Sequence, residues 1–479
     1  IRNEFNDVEV LYAEGVSNQF KSNLFSKSKF KTADGKNGLQ AKYYTLGNNA
    51  DAAVSDQLLQ EQAIASGRAV DKKTKDQSNE STSQVAIDNL ILEQIDGKIN
   101  FEWWGYPHNQ DKLGTDYKVE WEGYFEAEKT DSVLLVADAQ GAYRLWIDGE
   151  LLIDASKSES FYFGQQKIFV NKGDRKAVKL EFCNQRSLPS EIRFGYEYLS
   201  NIDFSEALNV ARKADLVVFC GGLDGSIELE GRDRPFELPY GQDKLINELA
   251  AVNPNLVVVL HAGGAVAMES WIDNAKAVVH AFYPGQEGGN ALAHILSGKV
   301  NPSAKLPFTI EKQWEDSPAF GNYDETRKSK QIHYNEGIFT GYRGYDKNQT
   351  TPLFPFGYGL SYTTFAYDDL KVANVDKKNK TVEIAFQVTN SGDCFGGEIA
   401  QVYVHDAKAS EPRPEKELKG FEKIWLAPGE TKEITITLNA EDFMFYSAKK
   451  NKWVFEPGEF EVRLGASSTD IKDSVVVKL

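Results

Sequence analysis

Leu216-Val217-Val218-Phe219-Cys220-Gly221-Gly222-Leu223-Asp224-Gly225-Ser226-Ile227-Glu228-Leu229-Glu230-Gly231-Arg232-Asp233-Arg234-Pro235 is an apolar run that opens into a charged, glycine-rich loop. A run without polar alternation reads as a strand covered on both faces, the kind found in parallel α/β sheets. Similar valine-rich runs return at 255–260 and 277–282, with helical patterns at 241–252 and 288–296. This alternation predicts an α/β sandwich domain over residues 201–365, a parallel sheet flanked by helices. Cys220, at the end of its run, is expected to be a buried thiol. Ligands of open α/β sheets sit outside the carboxyl ends of the strands, where the charged loop lies. Its glycines allow backbone angles closed to other residues. A carboxyl held there can act as a general acid/base. A solvated loop with local ion pairs is the plainer reading of the same composition.

Before this domain lies a long β region, residues 37–200. Tyr117-Lys118-Val119-Glu120-Trp121-Glu122-Gly123-Tyr124-Phe125 alternates with period two, as a half-buried strand does. Further strands are predicted at 132–136, 143–147, 167–170 and 178–182. Asp148-Gly149 signals a type I′ hairpin. Many short strands with turn signals indicate a β-sandwich. Residues 49–86 lack aromatics and read as a surface excursion, with one helix near 53–65. Residues 1–36 hold a single strand candidate, Val8-Glu9-Val10-Leu11-Tyr12. That strand is the natural missing piece of the α/β sheet, which makes the sandwich an insertion into the α/β domain. Residues 366–479 are β again, with strands at 381–389, 398–404, 433–438 and 460–464. Their turn spacing fits an immunoglobulin or fibronectin type III sandwich.

The 479 residues are 41% hydrophobic and 12% aromatic, enough for several cores, and about three domains are expected at this length. A net charge of −17 repels phosphate, which argues against nucleic acid and anionic membrane surfaces. No apolar run approaches the roughly 18 residues of a spanning helix. Cys183, Cys220 and Cys394 are odd in number and far apart, so neither a disulfide framework nor a zinc site is indicated. The histidines are scattered without metal-ligand spacing, and no metal or cofactor is implied. Tyr283-Pro284-Gly285-Gln286-Glu287-Gly288-Gly289-Asn290 opens a helix and could cradle an anion, but it is neither GxGxxG nor a Walker loop. Ile1-Arg2-Asn3-Glu4-Phe5 reads as the end of a helix begun upstream, so the native start and targeting signal are expected to lie outside this sequence.

Several motifs resemble glycoside hydrolase family 3. Glu230-Gly231-Arg232-Asp233-Arg234 is similar to the family's acid/base loop. Asn301-Pro302-Ser303-Ala304-Lys305-Leu306-Pro307 and Tyr334-Asn335-Glu336-Gly337-Ile338-Phe339-Thr340-Gly341-Tyr342-Arg343 resemble two further segments. Pro355-Phe356-Gly357-Tyr358-Gly359-Leu360-Ser361-Tyr362 resembles its most specific signature. Lys416-Glu417-Leu418-Lys419-Gly420-Phe421 and Leu426-Ala427-Pro428-Gly429-Glu430 are similar to its fibronectin type III-like tail. Gly38-Leu39-Gln40-Ala41-Lys42-Tyr43-Tyr44, Trp121-Glu122-Gly123-Tyr124 and Arg144-Leu145-Trp146-Ile147-Asp148-Gly149 resemble a protective-antigen-type (PA-14) sandwich, which a subset of family 3 β-glucosidases carries.

The resemblance implies four segments: 1–36 and 201–365 forming the α/β sandwich domain, 37–200 the PA-14 insert, and 366–479 the fibronectin-like domain. It implies a retaining β-glucosidase acting on β-glucosides or oligosaccharides. Glu230 is the expected acid/base, with Glu228 its competitor. Arg234 is expected to pair with Asp233 and brace the loop. The family's nucleophile is an aspartate in a Ser-Asp-Trp segment on an N-terminal (β/α)8 barrel. No Ser-Asp-Trp occurs here. The barrel is therefore the expected partner, as upstream sequence or a separate chain, and a homo-oligomer is left open. Trp103, Trp104, Phe161, Tyr162 and Phe163 are candidate walls of an outer sugar subsite, with sandwich core as the alternative. The turn Asp138-Ala139-Gln140-Gly141 lacks the adjacent aspartates of calcium-dependent adhesins. The competing readings are a non-catalytic carbohydrate-binding or structural fragment, a nucleotide-binding α/β enzyme, and another family 3 exo-glycosidase: β-xylosidase, N-acetylglucosaminidase or exo-glucanase.

Overall fold

The computed structural model describes residues 2, 4–5, 7–16, 24–25, 30–46, 89–104, 106–156, 161–184, 190–225, 227–230, 234–322 and 333–479. The expected excursion at 49–86 with its helix lies outside them, apart from the chain's return into a strand at Asn89. The chain divides into two compact units. One holds residues 12–256 and 325–332, the other residues 1–11, 257–324 and 333–479.

The first unit is dominated by a β-sandwich. Its strands are β1 (Phe30–Lys31), β2 (Leu39–Thr45), β3 (Asn89–Asp96), β4 (Ile99–Trp103), β5 (Tyr117–Glu126), β6 (Asp131–Gln140), β7 (Ala142–Ile147), β8 (Glu150–Ala155), β9 (Phe161–Val170), β10 (Arg175–Asn184) and β11 (Ser190–Tyr198). One sheet runs β3-β2-β5-β10-β7-β8 with β1 paired to β5, and the other runs β4-β11-β6-β9. The predicted alternation on β5 holds: Tyr117, Val119 and Trp121 are wholly buried, and Lys118, Glu120 and Glu122 face outward. Asp148 and Gly149 both take positive φ between β7 and β8, as a type I′ turn requires. Since β1 joins this sheet, the sandwich begins ahead of residue 37.

After the sandwich come α1 (Ser205–Ala211), β12 (Val217–Gly222) and α2 (Gln242–Val252). Val217 N–H donates to the Asn255 carbonyl at 2.9 Å. Then β13 (Leu256–His261) pairs in parallel with β14 (Ala277–His280), and α3 (Gly288–Leu296) and α4 (Tyr342–Asn348) follow. The parallel pairing and the strand–helix alternation agree with the sequence. The burial agrees only for β13, where Leu256, Val258, Val259 and Leu260 are fully buried. In β12 only Phe219 is buried, and Cys220 is exposed, contrary to expectation. The Val8–Tyr12 segment forms no strand. Val8, Leu11 and Tyr12 are 58, 40 and 76% exposed. β-Propensity alone does not make a strand without an edge to pair with.

The C-terminal sandwich contains β15 (Phe365–Asp376), β16 (Thr381–Asn390), β17 (Gly396–Asp406), β18 (Glu417–Leu426), β19 (Thr431–Leu438), β20 (Phe445–Ser447), β21 (Lys452–Val454), β22 (Glu459–Gly465) and β23 (Ile471–Lys478). Its sheets run β15-β16-β19 and β18-β17-β22-β23. Val382, Ile384, Phe386 and Val388 of β16 meet Val402, Val404, Val462 and Leu464 in its core.

The motifs that looked most diagnostic in sequence build a structural junction in this second unit. Asn301 Oδ1 accepts from the Tyr362 backbone N–H at 2.8 Å and from Ser361 Oγ at 3.0 Å, while its amide donates to the Phe395 carbonyl. Lys305 pairs with Glu398 at 2.9 Å, both nearly buried, and also donates to the Gly359 carbonyl. A buried ion pair with its remaining hydrogen bonds satisfied fixes geometry more than it adds stability.

Candidate active site

Two glycines and one glutamine shape the start of the loop that follows β12. Gly222 takes φ +124°, open in practice only to glycine. A side chain at Gly221 would meet Gln242 Oε1 at 2.4 Å. That space is used: Gln242 Oε1 accepts the Gly222 N–H at 2.7 Å and Gln242 Nε2 donates to the Gly222 carbonyl at 2.8 Å. The amide of one glutamine thus closes the neck of a loop some twenty residues long.

Within the loop, the Ile227 and Glu228 N–H groups both donate to the Asp224 carbonyl at 2.9 Å. Ile227 is buried and anchors this turn. Arg234 Nε donates to Glu228 Oε1 at 2.8 Å, and its Nη1 donates to the Pro235 carbonyl. Arg234 pairs with Glu228, and Asp233, the partner expected for Arg234, lies outside the described residues. Glu230 is exposed and makes no hydrogen bond or ion pair among the described residues. Arg232 also lies outside the described residues.

On the return, Leu238, Pro239, Tyr240 and Gly241 are all buried. Tyr240 takes φ +58° and Gly241 φ +77° just before α2. The Tyr240 ring packs edge-on against Phe163 at 5.3 Å. Burial first, then the nearby charges of Asp138 and Asp224, push the Tyr240 phenol well up, so it stays a neutral hydroxyl.

Four of the five predicted aromatics have described side chains, and these lie in different surroundings. Trp103 is 8% exposed and stacks on Phe101 at 4.8 Å in the sandwich core. Phe163 is 3% exposed beneath Tyr240. Tyr162 is half-buried against Tyr143. Trp103 in β4 and Tyr162 in β9 thus pack in the sandwich core, the alternative the sequence left open, while Phe163 packs on Tyr240. Trp104 is 74% exposed, its indole N–H held by Glu102 at 2.8 Å. Phe161 belongs to β9, with its side chain outside the described residues.

Among the described residues, no three His, Cys, Asp or Glu side chains are grouped to hold a metal, and no helix is long and apolar enough to cross a membrane. Asp138 and Glu191 share the guanidinium of Arg193, at 2.8 and 2.7 Å. At the start of α3, Glu287 accepts from Asn290 at 2.5 Å, so a carboxylate stands where an anion was considered. A groove of about 570 Å³ runs between Asp131, Phe204 and Lys244, and none of its lining belongs to the acid-rich loop. Sequence reasoning missed Gln165, Gln242 and Tyr240. A glutamine that bonds distant backbone leaves no periodic trace, and only the Tyr240-Gly241 step before a helix hinted at an unusual turn.

Residues 39–362 match the Glycosyl hydrolase family 3 C-terminal domain, and residues 398–468 match the Fibronectin type III-like domain. The chain is 43% identical over 288 residues to Beta-glucosidase B of Emericella nidulans, covering 57% of this chain and 34% of that protein. It is 34% identical over 405 residues to a beta-glucosidase of Rhizobium radiobacter, covering 80% of this chain and 49% of that one. The chain thus spans half or less of the length of these relatives. The crystal structure of the beta-glucosidase from Kluyveromyces marxianus in complex with glucose aligns over all of this chain and 54% of that one, with a TM-score of 0.59 and 28% identity. The family match covers well over half of the sequence, with the acid-rich loop inside it, and the chain accordingly belongs to glycoside hydrolase family 3, whose C-terminal domain and fibronectin type III-like domain it carries.

Proposed function

We propose that this chain supplies the acid/base of a retaining β-glucosidase that removes terminal non-reducing β-D-glucosyl residues from oligosaccharides or glycosides. The observation that carries the reading is the division of labour in the loop after β12. Glu228 is engaged by Arg234, whereas Glu230, two residues on, is exposed and unengaged among the described residues. Glu230 protonates the departing glycosidic oxygen and then takes a proton from the water that resolves the glycosyl-enzyme. The nucleophile is a carboxylate of a (β/α)8 barrel module not in this sequence, set about 5–5.5 Å from the acid as retention requires. Family membership and β-glucosidase relatives on both the sequence and structure sides support the substrate class. The inserted sandwich is read as the PA-14 type, and Trp104 is its open aromatic face for an outer sugar.

The test uses the intact protein with its barrel. Glu230→Ala is expected to lose about 10²–10⁴-fold on glucosides with poor leaving groups. It should still form the glycosyl-enzyme from activated aryl glucosides, and azide should speed their turnover. If Glu228→Ala shows the azide effect and Glu230→Ala does not, the assignment is reversed.

A further inference from the structure

We infer that the inserted sandwich holds the acid/base loop in place through Gln165, with Gln242 closing the same neck, so that both are positioning residues for proton transfer by Glu230. The inference rests on the reading of that loop given above.

Gln165 lies on β9 and is 8% exposed. A buried primary amide costs free energy unless both ends are satisfied, and an apolar residue would fill a sandwich site more cheaply. Both ends are satisfied by the loop. Gln165 Nε2 donates to the Leu238 carbonyl at 2.9 Å, and Gln165 Oε1 accepts the Tyr240 N–H at 3.3 Å. Two residues later Gln242 repeats the device on Gly222. The entry and exit of the loop are thus tied to each other by one amide, and the exit is tied to the sandwich by another. Lys167, further along β9, adds an ion pair to Asp243 at 2.5 Å.

The conformation at the anchor points the same way. Tyr240 is a bulky residue in the left-handed region, a conformation that persists only where surroundings over-determine it. Here the determinants are the Gln165 bond to its N–H and the Phe163 ring against its own. Backbone strain held by a separate layer of structure, within ten residues of the acid, suits a part that must not drift. A displacement of about 1 Å can cost a hundredfold in rate.

The variants are Gln165→Met and Gln242→Met, which keep the shape and remove the amide. In the intact protein with its barrel, kcat/KM for phenyl or alkyl glucosides, which need the acid, should fall about ten- to hundredfold. For 2,4-dinitrophenyl glucoside, whose leaving group needs no proton, it should change less than about threefold. Amide hydrogen exchange between residues 223 and 238 should quicken, with the sandwich core unchanged. Gln165→Asn, which keeps the amide on a shorter stem, should restore part of the loss. Equal losses on both substrates, or no loss on either, overturn the inference. Should Gln165→Met not fold, Gln242→Met carries the same test from the other side of the neck. Glu230→Ala is run alongside. If it shows the leaving-group selectivity and the glutamine variants do not, the positioning role alone falls. If it does not, the acid/base assignment falls and takes the positioning role with it.

Discussion

Asp96 shows what a single residue can carry in this molecule. It is 5% exposed at the end of β3, where it accepts from Tyr43 Oη at 2.5 Å, Trp121 Nε1 at 2.7 Å and Gln94 Nε2 at 2.7 Å. His108, also in the left-handed region, closes the group through Tyr43 at 2.8 Å. Burial first, then the Asp96 charge, raises the Tyr43 phenol, which therefore stays a donor. Asp96→Ala would strand two buried donors, and a loss of about 3 kcal/mol is expected in urea unfolding monitored by Trp fluorescence. A loss below about 1 kcal/mol would show that water replaces the carboxylate. In sequence Asp96 precedes Gly97 and looks like any surface turn. Only the pairing of β2 with both β3 and β5 gathers its partners. Glu230 is the opposite case. Its loop stood out in sequence through the contiguous Glu230-Gly231-Arg232-Asp233-Arg234 motif and its resemblance to the family's acid/base loop, whereas its composition alone fits a solvated surface loop at least as well.

At the scale of elements, one ion pair ties α4 to the residue just ahead of β18. Lys416 Nζ reaches both Asp346 oxygens at 2.7 Å and is 8% exposed. Burial pushes the Asp346 carboxyl above its ordinary range, and Lys416 draws it part of the way back. A carboxyl raised in the folded state stabilises most below its unfolded value near 3.8, and that contribution is lost as pH rises through the folded value. Lys416→Met raises it further, so the variant's penalty is largest near pH 7 and shrinks towards pH 4. About 2 kcal/mol is expected at neutrality, below the fully buried range because Asp346 keeps some solvent. Melting temperatures of the variant and wild type, compared at pH 7 and pH 4, measure it. A gap that does not narrow at pH 4 would remove Asp346 ionisation from the account. Period-two alternation made β5 readable in advance, as the turn residues did for β7 and β8. The 8–12 segment has the same composition and forms no strand, because strand formation depends on a partner edge that the segment does not itself contain.

For the whole molecule, two units with separate cores predict departure from two-state unfolding. Calorimetry of the chain should give a calorimetric enthalpy above the van't Hoff value, and a single transition with equal enthalpies would show the units to be one cooperative block. The sequence by itself determined the order of β, α/β and β regions, the family resemblance, and the position of the acid-rich loop, because these rest on periodicity, turn chemistry and contiguous motifs, all local in the chain. It could not decide that Trp103 enters the sandwich core, that Phe163 packs on Tyr240, that Arg234 takes Glu228, or that Gln165 reaches the backbone at 238 and 240. Those choices follow from which distant segments the folded chain brings within hydrogen-bond length, and a linear pattern holds no record of that distance.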